Sequence, residues 1–254
     1  MRAPARAIGI NCGRHACEFI VDKNMRFPIL VLLAALAAGE SVSGVPNIGS
    51  FHADSDFALT ADPEAPQWKG TPGIFMDSNQ FGKPLAGYRS EVRSRWTDRF
   101  LYLLYVCPYE QLYVHQHPQT AEETRGLWDW DVAEAFIGTD FKNTDQYYEF
   151  EVSPQGEWIA LGVDLKRWIA NSSLGPGFGL EVRSRIDERK KIWYGEMRIP
   201  LAKIGIRPPS KGIEVRINLF RIQGPPPRRN YIAWQPTKQW SFHAPEAFGR
   251  LTLE

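Results

Sequence analysis

The feature that most constrains the fold is a series of short β-type segments separated by turn residues. Apolar and aromatic residues recur within these segments, and Pro, Gly and Ser mark the turns, as at residues 153–156 and 207–212. Closely spaced strands joined by short turns are typical of an antiparallel sandwich or barrel rather than of βαβ units. The nine predicted strands are Tyr88–Trp96, Phe100–Cys107, Val132–Gly138, Tyr147–Ser153, Trp158–Val163, Leu180–Ile186, Ile192–Ile199, Ile213–Ile222 and Phe248–Leu253.

The aromatic content supports the same fold class. All nine tryptophans lie beyond residue 44, together with most of the 14 Phe and nine Tyr. Aromatic residues are enriched in strands. No segment has the periodicity of an amphipathic helix of three turns, and only Leu201–Gly205 suggests a helical turn. We therefore predict an all-β protein, an antiparallel β-sandwich of the immunoglobulin or jelly-roll kind with at most short helical turns.

Residues 1–43 are predicted to be an N-terminal leader with a signal peptide. Met25 precedes an apolar run at residues 27–38, with an A-x-A cleavage sequence at 35–37. This run is too short for a membrane-spanning helix, which needs about 20 residues. Because the residues before Met25 have no signal-peptide features, Met25 is the expected translation start. The protein is therefore expected to be secreted or periplasmic, with no transmembrane segment after cleavage.

The remaining residues 44–254 are expected to form one domain, whose first residues belong to a linker-like stretch from about 40 to 56. Five of the 30 basic and two of the 29 acidic residues lie within residues 1–38, which leaves 25 basic and 27 acidic residues and a net charge of −2. This balance gives no electrostatic reason to expect nucleic acid or an anionic membrane as partner. Cys107 is the one cysteine of this part, so no internal disulfide can form.

The segment 127–137, LWDWDVAEAFI, combines two indoles with three carboxylates and continues as a β-type run. An indole face is broad, rigid and apolar, which suits the C–H face of a sugar ring, and carboxylates accept hydrogen bonds from sugar hydroxyls. The segment therefore favours carbohydrate binding. The alternative for Trp128 and Trp130 is a role in the core, where tryptophan is found more often.

Alternation along two segments assigns their faces. In the segment 213–220 the odd-numbered residues are apolar and are expected to face the core, with Asn218 on the opposite face. In the segment 132–137, Glu134 falls opposite the small residues, among apolar neighbours. Burying a carboxylate is unfavourable unless it has partners. Glu134 is therefore expected to meet either an Arg or a ligand hydroxyl.

Several segments carry a family resemblance in a fixed order. They are Trp128 with residues 131–137, then residues 147–156, 193–200, 216–221 and 233–249. Each is weak alone, but together, over roughly residues 57–254, they resemble the family 9 carbohydrate-binding modules and their relatives, which share a DOMON-like β-sandwich. The closing segment is more similar to the family-9-like relatives than to the modules attached to xylanases.

The resemblance implies a non-catalytic carbohydrate-binding module with an oligo- or polysaccharide as partner, and a separate glycoside hydrolase as a further one. Members of the xylanase-linked type hold a terminal sugar between two Trp rings, with polar side chains on its hydroxyls. The implied ligand-binding residues are Trp128 as platform, Trp234 or Trp240 as opposing wall, and Glu134, Asn218 and Arg221 as hydroxyl contacts.

Two positions depart from this pattern. Arg221 has the odd parity of the core-facing residues, so it reaches the ligand face only if a bulge intervenes. Glu151 stands where the xylanase-linked type leads us to expect a basic, sugar-contacting residue.

No catalytic residue is predicted. The chain has no G-x-S-x-G, H-E-x-x-H or P-loop sequence. Carboxylates such as Glu149 and Glu151 could supply the pair that a glycosidase needs, but carboxylates are common on strand surfaces. An accessory domain of a glycoside hydrolase, carrying hydrolase activity, is one alternative. Another is an interaction module that contacts its partner through the stiff, basic loop Gly224–Arg229.

A redox function is the alternative from a different class, because some DOMON relatives bind haem b through a Met and a His. This would make the protein a haem-b- or metal-binding electron-transfer module, although C-x-x-C-H is absent. For the favoured interpretation we predict no metal site and no cofactor, with structural calcium left open by aspartates between residues 129 and 145. The residues of the right type are Met76, Met197, His115, His117 and His243.

Overall fold

The computed structural model describes residues 44–167 and 172–254 of the chain. The predicted signal peptide and translation start lie outside the described residues. The described part contains 14 strands: β1 (Asn47–His52), β2 (Gly73–Met76), β3 (Ser78–Asn79), β4 (Ser90–Trp96), β5 (Phe100–Pro108), β6 (Val132–Gly138), β7 (Gln146–Val152), β8 (Trp158–Asp164), β9 (Ser172–Ser173), β10 (Glu181–Asp187), β11 (Ile192–Pro200), β12 (Glu214–Gln223), β13 (Asn230–Ala233) and β14 (Gly249–Leu253).

The helical segments of the described residues are all short 3-10 turns. The predicted turn near residue 201 is confirmed, and Gly205 ends it with a φ of 88°, a left-handed conformation that glycine adopts without steric strain. Across residues 44–167 and 172–254, no helix is long and apolar enough to span a membrane. The 3-10 turns are Pro66–Trp68, Leu127–Asp129, Pro176–Phe178, Leu201–Ile204 and Pro245–Ala247.

All nine predicted strands are present, with ends within two residues of the prediction. Five further strands, each of two to six residues, were not predicted, namely β1, β2, β3, β9 and β13. The prediction of a linker at residues 40–56 is wrong for residues 47–52, because these residues form strand β1. Its sequence, NIGSFH, has only two large apolar residues and so lacks the pattern of a buried strand.

Two sheets pack face to face. The first has the order β14-β12-β6-β7-β8-β9, with β13 beside the second half of β12 and β3 beside β13. The second has the order β10-β11-β5-β4-β2. Strand β1 joins them, since residues 47–50 pair with β14 and residues 51–52 with β4, in parallel both times. Every other strand pair in the described part is antiparallel, so the predicted sandwich is confirmed with β1 as its parallel exception.

The main core lies between the two sheets. It takes the inward residues of β6 and β12 that alternation predicted, and it meets Leu101, Leu103 and Tyr105 of β5 from the second sheet. Removing such apolar surface from water stabilises the fold by about 25 cal/mol per Å². The inward residues of β6 and β12 are Ala133, Ala135, Ile137, Val215, Ile217 and Leu219.

Each sheet also carries an apolar cluster on its outer face. On the second sheet, Trp68 packs in one cluster with Tyr102 and Leu104, and the carboxylate of Glu196 is buried beside Trp68. Glu196 accepts hydrogen bonds from the backbone N–H of Thr60 (2.7 Å) and Ala61 (2.6 Å) and from Trp68 Nε1 (2.8 Å). This glutamate therefore ties the chain before β2 to the sheet.

Candidate functional site

The outer face of the first sheet gathers three glutamates on two neighbouring strands. Glu134 of β6 lies directly across from Glu151 of β7, and Phe136 lies across from Glu149. Because successive side chains of a strand alternate between faces, all three carboxyl groups project from the same face. They are almost fully buried, with exposed fractions of 2% for Glu134, 4% for Glu149 and 0% for Glu151.

The 3-10 turn Leu127–Asp129 forms one wall beside these glutamates. Leu127 is buried in the outer apolar cluster, and the half-buried Trp128 packs against the same cluster. The second indole of the segment, Trp130, instead stacks on Tyr113, with ring centroids 4.6 Å apart. Of the two indoles predicted from the sequence, Trp128 is the one beside the glutamates.

Two charged residues hold this wall in place. The Asp131 carboxylate accepts hydrogen bonds from the backbone N–H groups of Tyr113 (3.0 Å) and Gly224 (2.5 Å). Burial raises the pKa of Asp131 to about 6, although these hydrogen bonds act in the opposite direction. The Arg229 guanidinium donates to the three carbonyls of residues 128–130 at 3.2, 2.8 and 2.6 Å. The turn that carries Trp128 is thus fixed through its backbone.

The segment 240–248 forms the opposite wall. Phe242 stacks on Phe220 of β12, with centroids 4.1 Å apart and planes 12° apart. His243 Nδ1 and the Tyr147 hydroxyl lie 2.6 Å apart and share a hydrogen bond. These contacts hold a segment without regular strand structure against the sheet.

Between the two walls lies a cleft of about 260 Å³. Trp240 stands at its rim with 81% of its surface exposed, and its ring meets Phe81 edge-on at a centroid distance of 4.9 Å. A wider depression of about 850 Å³ adjoins the cleft and shares Tyr231 and Trp240 with it. The residues that line the cleft are Trp128, Glu134, Phe136, Glu149, Ile222, Tyr231, Trp240, Phe242 and His243.

The floor of the cleft is acidic and poorly paired. Four carboxyl oxygens have no hydrogen-bond donor among the described residues: Glu134 Oε1, Glu149 Oε2 and both oxygens of Glu151. Burial raises the pKa of all three carboxyl groups, that of Glu149 to about 7, and repulsion from the neighbouring carboxylates adds to the shift for Glu134 and Glu151. Glu149 and Glu151 lie close enough for a hydrogen bond when one of them is protonated. Burial lowers the pKa of His243, so its imidazole is neutral at pH 7.

The structure brings three of the six predicted ligand-binding residues together. Trp128, Glu134 and Trp240 all line the cleft, with Trp128 and Trp240 on different walls. Of the two late tryptophans proposed as the opposing wall, Trp240 is therefore the one at the site. Trp234 lies elsewhere, with its ring packed over Gly249 and against the main core.

The other two predicted hydroxyl contacts are engaged inside the protein. Asn218 is on the outer face, but its side-chain amide donates to the Gln235 carbonyl (2.9 Å) and its Oδ1 accepts from the Gln235 N–H (3.0 Å). Arg221 lies between the sheets, because β12 pairs with β6 without a bulge. Its guanidinium donates to Ser90 Oγ (2.9 Å) and to the Pro108 carbonyl (2.6 Å).

Sequence reasoning missed the contributions of Glu149, Tyr231, Phe242 and His243 to the cleft. For Glu149 a signal was present, because Glu149 and Glu151 alternate along β7 and therefore share a face with Glu134 once the two strands pair. For the other three there was no comparable pattern. Two of them belong to the irregular segment 240–248, whose position depends on packing against the sheet.

The residue types considered for haem do not form one site. Met76 and Met197 are fully buried in the main core between the sheets, whereas His243 lines the cleft on the outer face. His115 lies in a loop, with Nδ1 2.5 Å from Glu157 Oε1. Among residues 44–167 and 172–254, no three His, Cys, Asp or Glu side chains are grouped so as to hold a metal ion.

Comparison with curated proteins shows relatives of partial coverage. The human UPF0462 protein C4orf33 is 30% identical over 113 residues, which are 44% of this chain and 50% of that protein. A protein of Arthroderma benhamiae named "Extracellular protein" is 26% identical over 141 residues, which are 50% of this chain and 62% of that protein. The chain thus spans about half to three fifths of the length of these relatives.

Solved structures share the fold at low sequence identity. A candidate carbohydrate-binding protein of Bacteroides uniformis aligns with a TM-score of 0.64 at 15% identity, covering 83% of this chain and 100% of that one. A family 9 carbohydrate-binding module of Caldicellulosiruptor kristjanssonii, in complex with glucose, aligns with a TM-score of 0.58 at 13% identity, covering 81% and 95%. The same module in complex with cellotriose gives a TM-score of 0.58 at 13% identity, covering 82% and 94%.

The family assignment rests on the sequence itself. The model of the family described as "Carbohydrate family 9 binding domain-like" matches residues 64–254, which include both walls and the floor of the cleft. This match extends over most of the 254-residue chain and agrees with the resemblance found in its motifs. The chain therefore belongs to the carbohydrate family 9 binding domain-like family.

Proposed function

We propose that the cleft binds carbohydrate without hydrolysing it. The observation that carries this proposal is the position of two tryptophans, Trp128 and Trp240, in one cleft with carboxyl oxygens that no donor of the described residues reaches. Glu134 is the hydroxyl contact that the sequence predicted, and Glu149 is a second one. The proposal is supported by the family and by the glucose and cellotriose complexes of the Caldicellulosiruptor module.

The chemistry of the cleft matches a sugar ring. A pyranose has apolar C–H faces and a rim of hydroxyls, so it needs flat apolar walls and polar groups at the floor. Trp128 and Trp240 offer the walls, while the carboxyl groups of Glu134 and Glu149 accept hydrogen bonds from hydroxyls when ionised and donate one when protonated. A buried polar group without a partner destabilises a protein by about 1–3 kcal/mol. A bound hydroxyl would relieve that penalty.

The arrangement of the carboxyl groups favours binding over hydrolysis. A glycosidase places two carboxyl groups on either side of the scissile bond. Here Glu134, Glu149 and Glu151 all project from one face of one sheet, side by side on β6 and β7. We therefore propose that any breakdown of the bound polysaccharide is performed by a separate glycoside hydrolase, which this protein supports by holding the substrate.

We also propose a secreted or periplasmic location. It is supported by the apolar run at residues 27–38 with its A-x-A sequence, and by the relative named "Extracellular protein". Expression of the full chain in a bacterial host, with fractionation and N-terminal sequencing, tests it. A product in the periplasm or medium that begins between residues 38 and 44 is expected, and an uncleaved cytoplasmic product would contradict this location.

The binding proposal is tested at Trp240, because its exposed ring can be removed with little effect on folding. Titration calorimetry of residues 44–254 with cellotriose is expected to show binding that Trp240→Ala weakens by about tenfold or more, as for other aromatic contacts in binding sites. Trp128→Ala is expected to abolish binding, but its half-buried ring makes a folding control necessary. Phe141→Ala, an exposed aromatic outside the cleft, is the matched control and should bind like the wild type. Equal affinities in all variants would contradict the proposal.

A further inference from the structure

The strongest feature not explained by a neutral sugar is the amount of acid beneath the cleft. Sugar hydroxyls need one or two acceptors, yet three carboxyl groups are buried together here. Glu151 does not line the cleft, although it lies beside Glu134 and Glu149 on the same face of the sheet, and no donor of the described chain reaches either of its oxygens. A buried carboxylate is strongly unfavourable unless an opposite charge or hydrogen-bond donors compensate it.

Among the described residues, the cations near this floor are Arg229 and Arg125, and the Arg125 guanidinium lies over the Trp128 ring, 5.9 Å from its centroid. Arg229 is the cation that lowers the pKa of Glu134, and its guanidinium is occupied by the carbonyls of residues 128–130. Burial raises the pKa of Glu149, and only the hydrogen bond with Glu151 lowers it. The negative charge of Asp129 raises the pKa of Glu151 further. On the opposite wall, the neutral His243 adds no charge at pH 7. The floor therefore holds an excess of negative charge or of protons.

We infer that the preferred ligand of this cleft is a sugar that carries a free amino group, with its ammonium placed over Glu134 and Glu149. This inference rests on the proposed carbohydrate-binding function and names the class of sugar. An ammonium donates three hydrogen bonds and has no acceptor, so it complements carboxylate oxygens that lack donors. It also adds a positive charge next to Glu149, for which no cation of the described residues lowers the pKa.

The walls of the cleft suit the same ligand. Trp128, Phe136, Trp240 and Phe242 present four aromatic rings around the acidic floor. Aromatic faces attract cations as well as C–H groups, and the attraction is stronger where water is excluded. A bare metal ion would use only the carboxylates, whereas an amino sugar contacts the aromatic walls and the carboxylates at once.

Three disaccharides that differ only at C2 test the inference. Cellobiose has hydroxyls, the fully deacetylated glucosamine disaccharide has amines, and its diacetylated form has neutral acetamides. Calorimetry with residues 44–254 at pH 7, where an amine with a pKa near 8 is protonated, is expected to show about tenfold tighter binding of the amine than of cellobiose. The advantage should disappear at pH 9.5, where the amine is neutral.

Proton linkage gives a second readout. A bound ammonium favours the ionised form of Glu149, whose pKa is raised to about 7 by burial, so its binding should release protons at pH 7. The binding enthalpy of the amine should therefore differ between phosphate and Tris buffers in proportion to their ionisation enthalpies. Cellobiose should show no such difference.

Charge variants separate a local effect from the overall field of the protein. Glu149→Gln should bring the ratio of amine to cellobiose affinity towards one, and Glu151→Gln should reduce it by a smaller factor. Glu214→Gln, at an exposed glutamate paired with Arg250, is the matched control and should leave the ratio unchanged. A ratio that fell equally in Glu214→Gln would overturn the inference, because the preference would then be non-specific.

The outcomes distinguish this inference from the proposed function. Equal binding of the three disaccharides, or tighter binding of cellobiose, would overturn the amino-sugar preference and leave carbohydrate binding intact. Amine binding that requires added calcium and is lost in EDTA would overturn it in favour of a metal site. Binding of none of the three would count against both proposals.

Discussion

Both outer faces of the sandwich bury glutamates, but the two faces treat them in opposite ways. On the second sheet, Glu196 accepts three hydrogen bonds from the chain that covers it. On the first sheet, Glu134, Glu149 and Glu151 are equally buried but have four oxygens that no donor of the described chain reaches. The first arrangement binds one part of the protein to another. The second leaves hydrogen-bonding capacity unused in a cleft, which is the property expected of a ligand site.

The difference teaches that burial of a charged group does not by itself indicate function. What distinguishes the two faces is where the complementary groups come from. The chain before β2 supplies the hydrogen-bond donors for Glu196. Under the proposed function, a bound sugar supplies them for the glutamates of the cleft. The same chemical group is therefore expected to stabilise the fold on one face and to destabilise it on the other.

The largest effect is expected at Glu196. Glu196→Ala removes the acceptor of two backbone N–H groups and of the Trp68 indole, so the free energy of unfolding should fall by about 4 kcal/mol. Urea denaturation at pH 7 measures it. Glu181→Ala, at an exposed glutamate paired with Arg198, is the control and should change stability little. A loss below about 1 kcal/mol at Glu196 would show that the segment it holds is fixed by other contacts.

The stability of the protein should fall as the pH rises, because burial in the cleft raises the pKa of Glu149. Burial raises the pKa of Glu149 from 4.5 to about 7. A group whose pKa is higher in the folded state stabilises the fold while it is protonated, in full below pH 4.5, and this contribution is lost as the pH rises through 7. For Glu149 the loss should be about 3 kcal/mol. Denaturation at pH 4.5 to 8 measures it, and Glu149→Gln should show a flatter profile. Identical profiles would mean that folding does not shift the pKa of Glu149.

Removing the charge of Glu151, which lies beside Glu134 and Glu149, should stabilise the protein. Glu151→Gln keeps the size of the side chain and eliminates a carboxylate that lies beside two others, so the free energy of unfolding at pH 8 should increase by about 2 kcal/mol. The gain should shrink at pH 4.5, where the wild-type group is protonated. Thermal denaturation at both pH values checks this. A destabilised variant at pH 8 would show that Glu151 has a structural partner, as Glu196 has.

The smallest effect is expected where a glutamate is paired but exposed. Glu214 and Arg250 form an ion pair between β12 and β14 on the protein surface. Such pairs contribute about 0–1 kcal/mol because water solvates and salt screens both charges. Glu214→Ala should therefore change the free energy of unfolding by about 0.5 kcal/mol or less. A larger loss, persisting at high salt, would mean that exposure is a poor guide to which glutamates matter.

The sequence predicted the strands and their faces well, because alternation is a local property. The inward set of β12 and the outward position of Glu134 follow directly from a side-chain period of two. The same rule placed Arg221 on the core side, and the structure confirms this with an unbroken register between β12 and β6. Had parity been given more weight than the family pattern, Arg221 would have been excluded from the site.

The walls of the cleft were harder to predict, because they come from irregular segments. The choice between Trp234 and Trp240 depends on how the chain leaves β13, which no local pattern encodes. Trp234 packs over Gly249, and only the next turn places Trp240 at the rim. Strand β1 was missed for a related reason, since its pairing with β14 and β4 joins segments that are far apart in sequence.

The position of β1 also determines how the sandwich responds to a mechanical load. Residues 47–50 run parallel to residues 250–253 and pair with them along their full length. A pull on Asn47 in one direction and on Leu253 in the other therefore acts along the strands and loads these hydrogen bonds in shear. The bonds must then break together rather than one after another. If the domain were held at these two strands under tension, the pairing of β1 with β14 would resist its extension. This is also where β1 connects the two sheets.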